Sequence, residues 1–303
     1  MDLLTIHRDA RPLIDGAPPV SALGWGMWRY HGDDLTGATQ RAMAALETGI
    51  TLFDTADIYG VDHADGFGAA EALLGRVLAA NPGLRNRIVL ATKGGILPPI
   101  PYHARAGRLV AACEASLKRL GVDVIDLYQV HRPDLLAHPA EVAAALDRLR
   151  HDGKIKAAGV SNHTTAQVAT LAAHMPFPLV SIQPEFSPLH VDPLLDGVLD
   201  QAMERNLAVL SWSPLGGGRL LGGLDDARAL AVAAALDAIA LPQGASRAAA
   251  AYAWGMAHPA RPIPLIGSQN PARIRAAAEA FTVAMTGAQW YAVLTAALGK
   301  RLP

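Results

Sequence analysis

Short apolar runs alternate with longer amphipathic stretches along almost the whole chain. Ile50-Thr51-Leu52-Phe53, Ile88-Val89-Leu90-Ala91-Thr92 and Val124-Ile125-Asp126-Leu127-Tyr128-Gln129-Val130 each read as a buried strand, and stretches of helical spacing separate them. A strand, helix, strand rhythm argues for parallel pairing. The pattern predicts strand one over Val20 to Leu23 and a first helix over Leu35 to Thr48, stopped by Gly49 as a C-cap signal. Further pairs are Glu71 to Ala80 then Ile88 to Thr92, Arg108 to Leu120 then Val124 to Val130, and Ala140 to His151 then Ile155 to Val160. Thr165 to Ala173 leads to Val180 to Gln183, Leu194 to Asn206 to Ala208 to Trp212, and two Ala-rich helices to Pro264 to Ile266. Two more helices, Pro271 to Ala280 and Gly287 to Leu298, follow, the first opened by an Asn270 cap and a first-turn proline.

Eight strands in that order predict an α/β chain, a (β/α)8 TIM barrel with additional C-terminal helices. The opening segment, Leu3 to Ile14, ends at the hairpin-turn signal Asp15-Gly16 and is expected to plug one barrel end as an N-terminal hairpin. No linker or repeat interrupts the rhythm, so residues 1–303 are expected to form a single domain.

Four polar residues stand at or just beyond the ends of three successive strands: Asp54, Tyr59, Lys93 and His131. In such a barrel, residues from different strands meet at the rim holding the strands' C-terminal ends. Singly, Asp54 reads more readily as a loop cap, Tyr59 as a rim aromatic, Lys93 as a solvated strand end and His131 as a satisfied core histidine. Together they make a chemical set. A tyrosine is a poor proton donor near neutral pH unless its phenolate is stabilised, which a lysine ammonium does. Asp54 would hold Lys93 charged, and His131 would bond a substrate oxygen or the phenol. The set suits protonation of a carbonyl oxygen while hydride arrives at carbon.

Composition narrows the partners. A net charge of −1 over 303 residues leaves no extended basic surface for nucleic acid or anionic membrane. Cys113 is the only cysteine, which fits a reducing compartment, and Met1 to Pro12 lacks the apolar core of a secretory signal, so the expected location is cytoplasmic. The apolar tract Leu230 to Ala257 is broken by Asp237, Pro242, Gln243, Gly244 and Arg247, which predicts two helices of a soluble protein and no membrane span. A small molecule is the expected partner and no metal is expected; the pattern says nothing of oligomeric state.

Phe53-Asp54-Thr55-Ala56-Asp57-Ile58-Tyr59-Gly60 resembles the signature of the aldo-keto reductase family, whose Asp and Tyr lie five residues apart. Thr92-Lys93-Gly94, Gln129-Val130-His131-Arg132-Pro133-Asp134, Gly153-Lys154-Ile155 and Gly159-Val160-Ser161-Asn162 match further segments of the family, from Leu23-Gly24 to Arg273. The resemblance implies a nicotinamide-dependent carbonyl reductase using Tyr59 as general acid, Lys93 and Asp54 to lower its pKa, and His131 to orient substrate. It implies NADPH, with NADH as the alternative, bound without a Rossmann fold; the chain has no G-x-G-x-x-G at a strand-helix turn.

By the same resemblance, Ser161, Asn162 and Gln183 would hydrogen-bond the nicotinamide carboxamide, with Gly24, Trp25 and Asp54 nearby, and Trp212 would stack on the ring. Ser213, Leu215, Gly216, Gly218 and Arg219 would cradle the pyrophosphate. Gly267, Ser268 and Arg273 fall where the family reads the adenosine 2′-phosphate, although many relatives carry lysine where this chain has Gly267, which weakens the preference for NADPH.

Trp25, Trp28, Tyr30, Tyr59, Tyr102, His103, His131 and Trp212 would bound the substrate pocket. Pro98, Pro99 and Pro101 would stiffen a lid after Lys93, and the short tail Gly299 to Pro303 implies an open pocket favouring small aldehydes over steroids. Two other functions use the same residues: a Schiff-base lyase with Lys93 as nucleophile, which Asp54 opposes, and a non-enzymatic nucleotide-binding regulatory subunit, as some relatives are.

Overall fold

The computed structural model describes residues 2–223 and 226–302, so Met1 of the Met1 to Pro12 stretch and Pro303 of the tail lie outside the described residues. Eight strands, β1 (Gly24–Gly26), β2 (Leu52–Asp54), β3 (Val89–Gly94), β4 (Ile125–Val130), β5 (Ile155–Ser161), β6 (Ser181–Gln183), β7 (Ala208–Ser211) and β8 (Ile263–Ile266), pair in parallel in sequential order. β8 pairs back with β1, closing the barrel.

Side chains alternate across each strand, so the barrel has two cores. Leu52, Val89, Ala91, Leu127, Ala157, Ala208, Leu210, Ile263 and Leu265 fill the interior. Their neighbours Phe53, Leu90, Tyr128, Val160, Val209 and Ile266 face outward to the helices. The first six helices are α1 (Leu35–Glu47), α2 (Ala69–Ala80), α3 (Ala106–Leu120), α4 (Pro139–His151), α5 (Thr165–His174) and α6 (Val198–Glu204). After them come α7 (Ala227–Ala240), α8 (Arg247–Met256), α9 (Pro271–Ala276) and α10 (Gly287–Leu298).

Local chemistry explains most of the boundaries. Thr164 and Gln167 form a reciprocal capping box that starts α5, worth about 1 kcal/mol. The expected helix from Leu194 to Asn206 is shorter, because Gly197 takes a left-handed φ of 84° and separates a 3-10 turn, Asp192–Leu194, from α6. The stretch expected as one helix to Ala280 ends as α9 and continues as 3-10 turns over Ala277–Thr282.

Strand one lies later than the apolar pattern predicts. Val20 does not enter the barrel ladder; it exchanges two 2.8 Å hydrogen bonds with Arg11, across the turn at Asp15-Gly16. The expected hairpin is reduced to that single bridge, since Pro12, Pro18 and Pro19 have no N–H to extend it. Ile14 and Val20 still pack against the interior core and close the end where the strands begin. β1 proper is Gly24-Trp25-Gly26, and Gly24 is there for packing: a Cβ on it would lie 2.6 Å from Leu265 Cδ2.

α7, α8 and α10 cover the last strands. Trp254 of α8 and Trp290 of α10 stack with ring centres 5.1 Å apart, and each indole N–H donates to the other residue's carbonyl, at 3.1 and 2.9 Å. Among the described residues no single helix is long and apolar enough to cross a membrane; the two Ala-rich segments form a pair bent by 104°.

Candidate active site

Period-two alternation carries polar groups to the top of the interior core. Above Leu52 stands Asp54, above Ala91 stands Lys93, and above Leu127 stand Gln129 and then His131. Lys93 Nζ donates to Asp54 Oδ2 at 2.6 Å and to the Thr55 carbonyl at 2.7 Å. Asp54 Oδ1 accepts from Gln183 Nε2 at 2.9 Å and Gln129 Nε2 at 3.1 Å. All four side chains are buried, and the carboxylate is fully engaged. An ion pair this deep adds little net stability, but removing one member leaves an uncompensated buried charge.

The loop after β2 folds back over β3. Thr55 N–H donates to the Ala91 carbonyl at 2.9 Å and Asp57 N–H to the Lys93 carbonyl at 3.0 Å, while His131 N–H reaches the Gly94 carbonyl at 2.9 Å. Lys93 therefore sits between the Asp54 loop and the His131 strand end. Tyr59 follows in a turn ended by Gly60 at φ 106°, and Lys93 Nζ lies 4.9 Å from its ring centre. The Tyr59 and His131 rings meet edge-on with centres 5.9 Å apart, and Trp28 meets Tyr59 edge-on at 4.9 Å.

Burial dominates the titration of this cluster. It pushes the Tyr59 phenol above its ordinary pKa; Lys93 pulls the other way and is outweighed, with Asp54 adding to the rise. Lys93 thus acts on the phenol in the expected direction, whereas the direct effect of Asp54 is the opposite of that expected and burial outweighs the lysine in the protein by itself. Burial also acts to discharge Lys93, but Asp54 and Tyr59 prevail and hold the ammonium above its usual value. His131 is driven well below the usual imidazole range by burial, then by Lys93 and Arg132, so it is neutral at physiological pH. Its Nδ1 is buried with no hydrogen-bond partner among the described residues.

Behind β3 lies a second buried polar group. Thr92 Oγ1 donates to Glu71 Oε1 at 2.5 Å, Arg119 Nε to Glu71 Oε2 at 2.7 Å, and Arg119 to Ser116 Oγ at 3.1 Å. Glu71 is fully buried, and Asp57 is 2% exposed with its carboxyl held well above the usual range by burial and by Glu71. The network ties α2 and α3 to the strand that carries Lys93.

The residues matched to the nucleotide segments lie at and beyond the ends of β5, β6, β7 and β8. Trp212 Nε1 donates to Asn162 Oδ1 at 2.9 Å, Asn162 Nδ2 to Ser161 Oγ at 2.8 Å, and Ser161 Oγ to the Gln183 carbonyl at 2.9 Å. Asn162 and Ser213 adopt left-handed φ of 57° and 50°. Gln183 spends its amide hydrogens on Asp54 and on Gln129 Oε1, 3.3 Å away, which leaves its own Oε1 as acceptor. Beyond Leu215, Gly216, Gly217 and Gly218 are all left-handed, and a Cβ on Gly216 would meet Leu189 Cδ1 at 2.7 Å. Arg219 pairs with Asp226 at 2.7 Å. Gly267 and Arg273 are exposed, and Ser268 Oγ accepts the Asn270 N–H at 3.2 Å.

Four expected contacts are corrected. Trp25 points outward, fully buried between Tyr30 and Phe53 with its Nε1 on the Ser268 carbonyl, because it alternates with inward-facing Gly24 and Gly26. Tyr30 is equally buried, its hydroxyl donating to the Ala38 carbonyl. Gly24 lies under Leu265 and Leu52, below the rim. Tyr102 is 40% exposed on the loop before α3, with no ring contact to the cluster among the described residues. That loop is tied down instead by His103, whose N–H donates to the Gly95 carbonyl at 2.8 Å. Among the described residues no three His, Cys, Asp or Glu side chains are grouped to hold a metal ion.

The aldo/keto reductase family model matches residues 22–296. A 6-dehydroglucose reductase of Novosphingobium aromaticivorans is 56% identical over 286 residues, 94% of each chain, and a 6-dehydroglucose reductase of Agrobacterium fabrum is 39% identical over 93% of this chain and 96% of that protein. Among solved structures, the glycerol dehydrogenase of Gluconobacter oxydans superposes with a TM-score of 0.82 at 27% identity, covering 100% of this chain and 98% of that one. A thermostable aldo-keto reductase crystallised with the inhibitor epalrestat gives 0.80 at 23% identity over 95% and 99% of the two chains, a likeness of fold. Barrel, polar rim and relatives together define an NAD(P)H-dependent oxidoreductase acting on carbonyl groups. The chain belongs to the aldo/keto reductase family.

Proposed function

We propose that this protein reduces the aldehyde of a dehydrogenated sugar, of the 6-dehydroglucose kind, to the alcohol, with NADPH as preferred reductant and Tyr59 as general acid. The observation that carries the acid is the cluster itself: a phenol beside a buried ammonium that is locked to Asp54, with a neutral imidazole edge-on to the ring. The relatives named for 6-dehydroglucose, one of them 56% identical, support the sugar.

Bound at the rim, the nicotinamide dinucleotide supplies the hydride. The residues present fit such a group. Trp212 is half-buried with its ring fixed through Asn162, Gln183 Oε1 and the second Nδ2 hydrogen of Asn162 can serve a carboxamide, and three successive left-handed glycines leave room for phosphates. In the chemical step the Tyr59 hydroxyl gives its proton to the carbonyl oxygen. Lys93 stabilises the phenolate left behind, and Asp54 keeps Lys93 protonated. Neutral His131 donates one hydrogen bond to the same carbonyl oxygen and orients it.

A Schiff-base role for Lys93 is disfavoured, since a nucleophilic amine must be neutral and this one is held charged. A cytoplasmic location fits the single cysteine, Cys113, buried in the outer core. The reading is tested by following NADPH oxidation with 6-aldehydo-glucose, benzaldehyde and butanal. Turnover of the sugar aldehyde with the highest kcat/KM is expected. Turnover of simple aldehydes alone would remove the sugar and keep the reductase, and no turnover of any carbonyl would overturn the reading.

A further inference from the structure

Arg132 directly follows His131 at the end of β4 and is half-buried. Its guanidinium carbon lies 5.8 Å from the centre of the Trp212 ring. The other partly buried arginines mostly have carboxylate partners: Arg85 with Asp126 at 2.7 Å, Arg119 with Glu71 at 2.7 Å and Arg247 with Asp237. Arg132 makes no ion pair and no hydrogen bond among the described residues. The nearest carboxylate in sequence, Asp134, is already spent, accepting the Ala104 and Leu136 N–H groups at 2.9 Å each. Arg132, next to His131 in the chain and against Trp212, stands beside the reacting cluster, and its charge acts on Tyr59 and on His131.

A guanidinium laid on an aromatic ring presents its N–H edge in a fixed plane, suited to two adjacent oxygens at once. We propose that Arg132 is a specificity-determining residue that binds a pair of adjacent oxygens on the substrate, vicinal hydroxyls or a carboxylate, and so selects oxygen-rich aldehydes over plain ones. The proposal rests on the reductase reading above and adds the group that recognises the rest of the substrate. Trp28, edge-on to Tyr59 and 48% exposed, supplies an apolar surface beside the same phenol, as the carbon skeleton of a sugar requires. A site built to bond a hydroxyl penalises analogues lacking it far more than an apolar pocket penalises an extra methylene.

The test measures kcat/KM for the wild type, Arg132→Lys and Arg132→Gln with 6-aldehydo-glucose, glyoxylate and butanal, with circular dichroism to show that each variant folds. Because Arg132 also acts on Tyr59 and His131, the readout is the ratio of each oxygen-rich aldehyde to butanal. In Arg132→Gln at least one ratio is expected to fall about tenfold or more, mainly through KM, as loss of one charge-assisted bidentate contact implies. A fall confined to the sugar assigns vicinal hydroxyls, and one confined to glyoxylate assigns a carboxylate. Arg132→Lys should restore part of the glyoxylate ratio and little of the sugar ratio, because lysine lacks the planar fork. Glucose, the alcohol product, should also quench tryptophan fluorescence in the wild type at lower concentration than in Arg132→Gln. Ratios unchanged within about twofold, or a wild type that prefers neither oxygen-rich aldehyde to butanal, would overturn the proposal and leave the reductase standing. Absence of turnover with every aldehyde would bring down both.

Discussion

His163 should make this barrel sensitive to acid. It follows the Ser161-Asn162 segment, is 8% exposed, and has Nδ1 2.9 Å from the Ser161 carbonyl. A carbonyl only accepts, so Nδ1 carries the proton and the ring is neutral with Nε2 bare. Burial brings its pKa down to about 4, against an unfolded value of roughly 6.5. The unfolded chain therefore binds more protons between these limits, and the folded state loses stability as pH falls from 6.5 towards 4. At about 1.4 kcal/mol per pH unit, and with the folded imidazole half protonated at pH near 4, the loss by that pH is about 3 kcal/mol, a large part of the ~5–15 kcal/mol that a domain has. His163→Asn keeps a donor near the Nδ1 position and cannot take up the proton. Urea unfolding at neutral pH and at pH near 4 should show the variant losing about 3 kcal/mol less than the wild type over that interval. Any cavity left by the smaller side chain only offsets the variant's curve at all pH values. Parallel pH dependences for the two proteins would refute the burial argument.

Two further outcomes follow from the site. Lys93→Met leaves the Asp54 carboxylate buried with only Gln129 and Gln183 for partners, so a loss of about 3–5 kcal/mol in chemical denaturation is expected along with loss of carbonyl reduction; an unchanged midpoint would contradict the ion-pair account. Gly267→Lys adds a cation where a Cβ meets nothing within 4 Å, and it should raise the NADPH over NADH ratio of kcat/KM about tenfold, the size of one charge-assisted hydrogen bond; an unaltered ratio would detach position 267 from the 2′-phosphate.

The strand rhythm made the barrel legible because period-two alternation and β/α spacing are local properties of the chain. The same alternation brought Asp54, Lys93 and His131 to one rim. It also holds Gln129, two residues before His131 on the same face, which donates to Asp54 although its place inside an apolar run gives no sign of that role. β1 was harder to see, since Gly24-Trp25-Gly26 carries no apolar signal beyond one ring. Gly24 is there because a Cβ at that position would crowd Leu265, 2.6 Å from its Cδ2. A strand placed at Val20 to Leu23 leaves Trp25 in a rim loop facing the pocket, whereas a strand at Gly24–Gly26 sends it outward by alternation. Glu71 and Asp57 look like ordinary polar positions on a helix and a loop; only tertiary packing buries them against Thr92 and Arg119. The balance at Tyr59 was beyond reach for the same reason: residue types show the lysine, but the cost of burying a phenolate depends on how completely the fold excludes water.

The most direct measurement is single-turnover hydride transfer from NADPH to 6-aldehydo-glucose by Tyr59→Phe, with nucleotide binding followed in parallel by fluorescence quenching. The variant should bind NADPH as the wild type does and transfer hydride about 10²–10⁴-fold more slowly, the usual worth of a positioned acid. Hydride transfer at the wild-type rate by a folded, nucleotide-binding Tyr59→Phe protein would contradict the account.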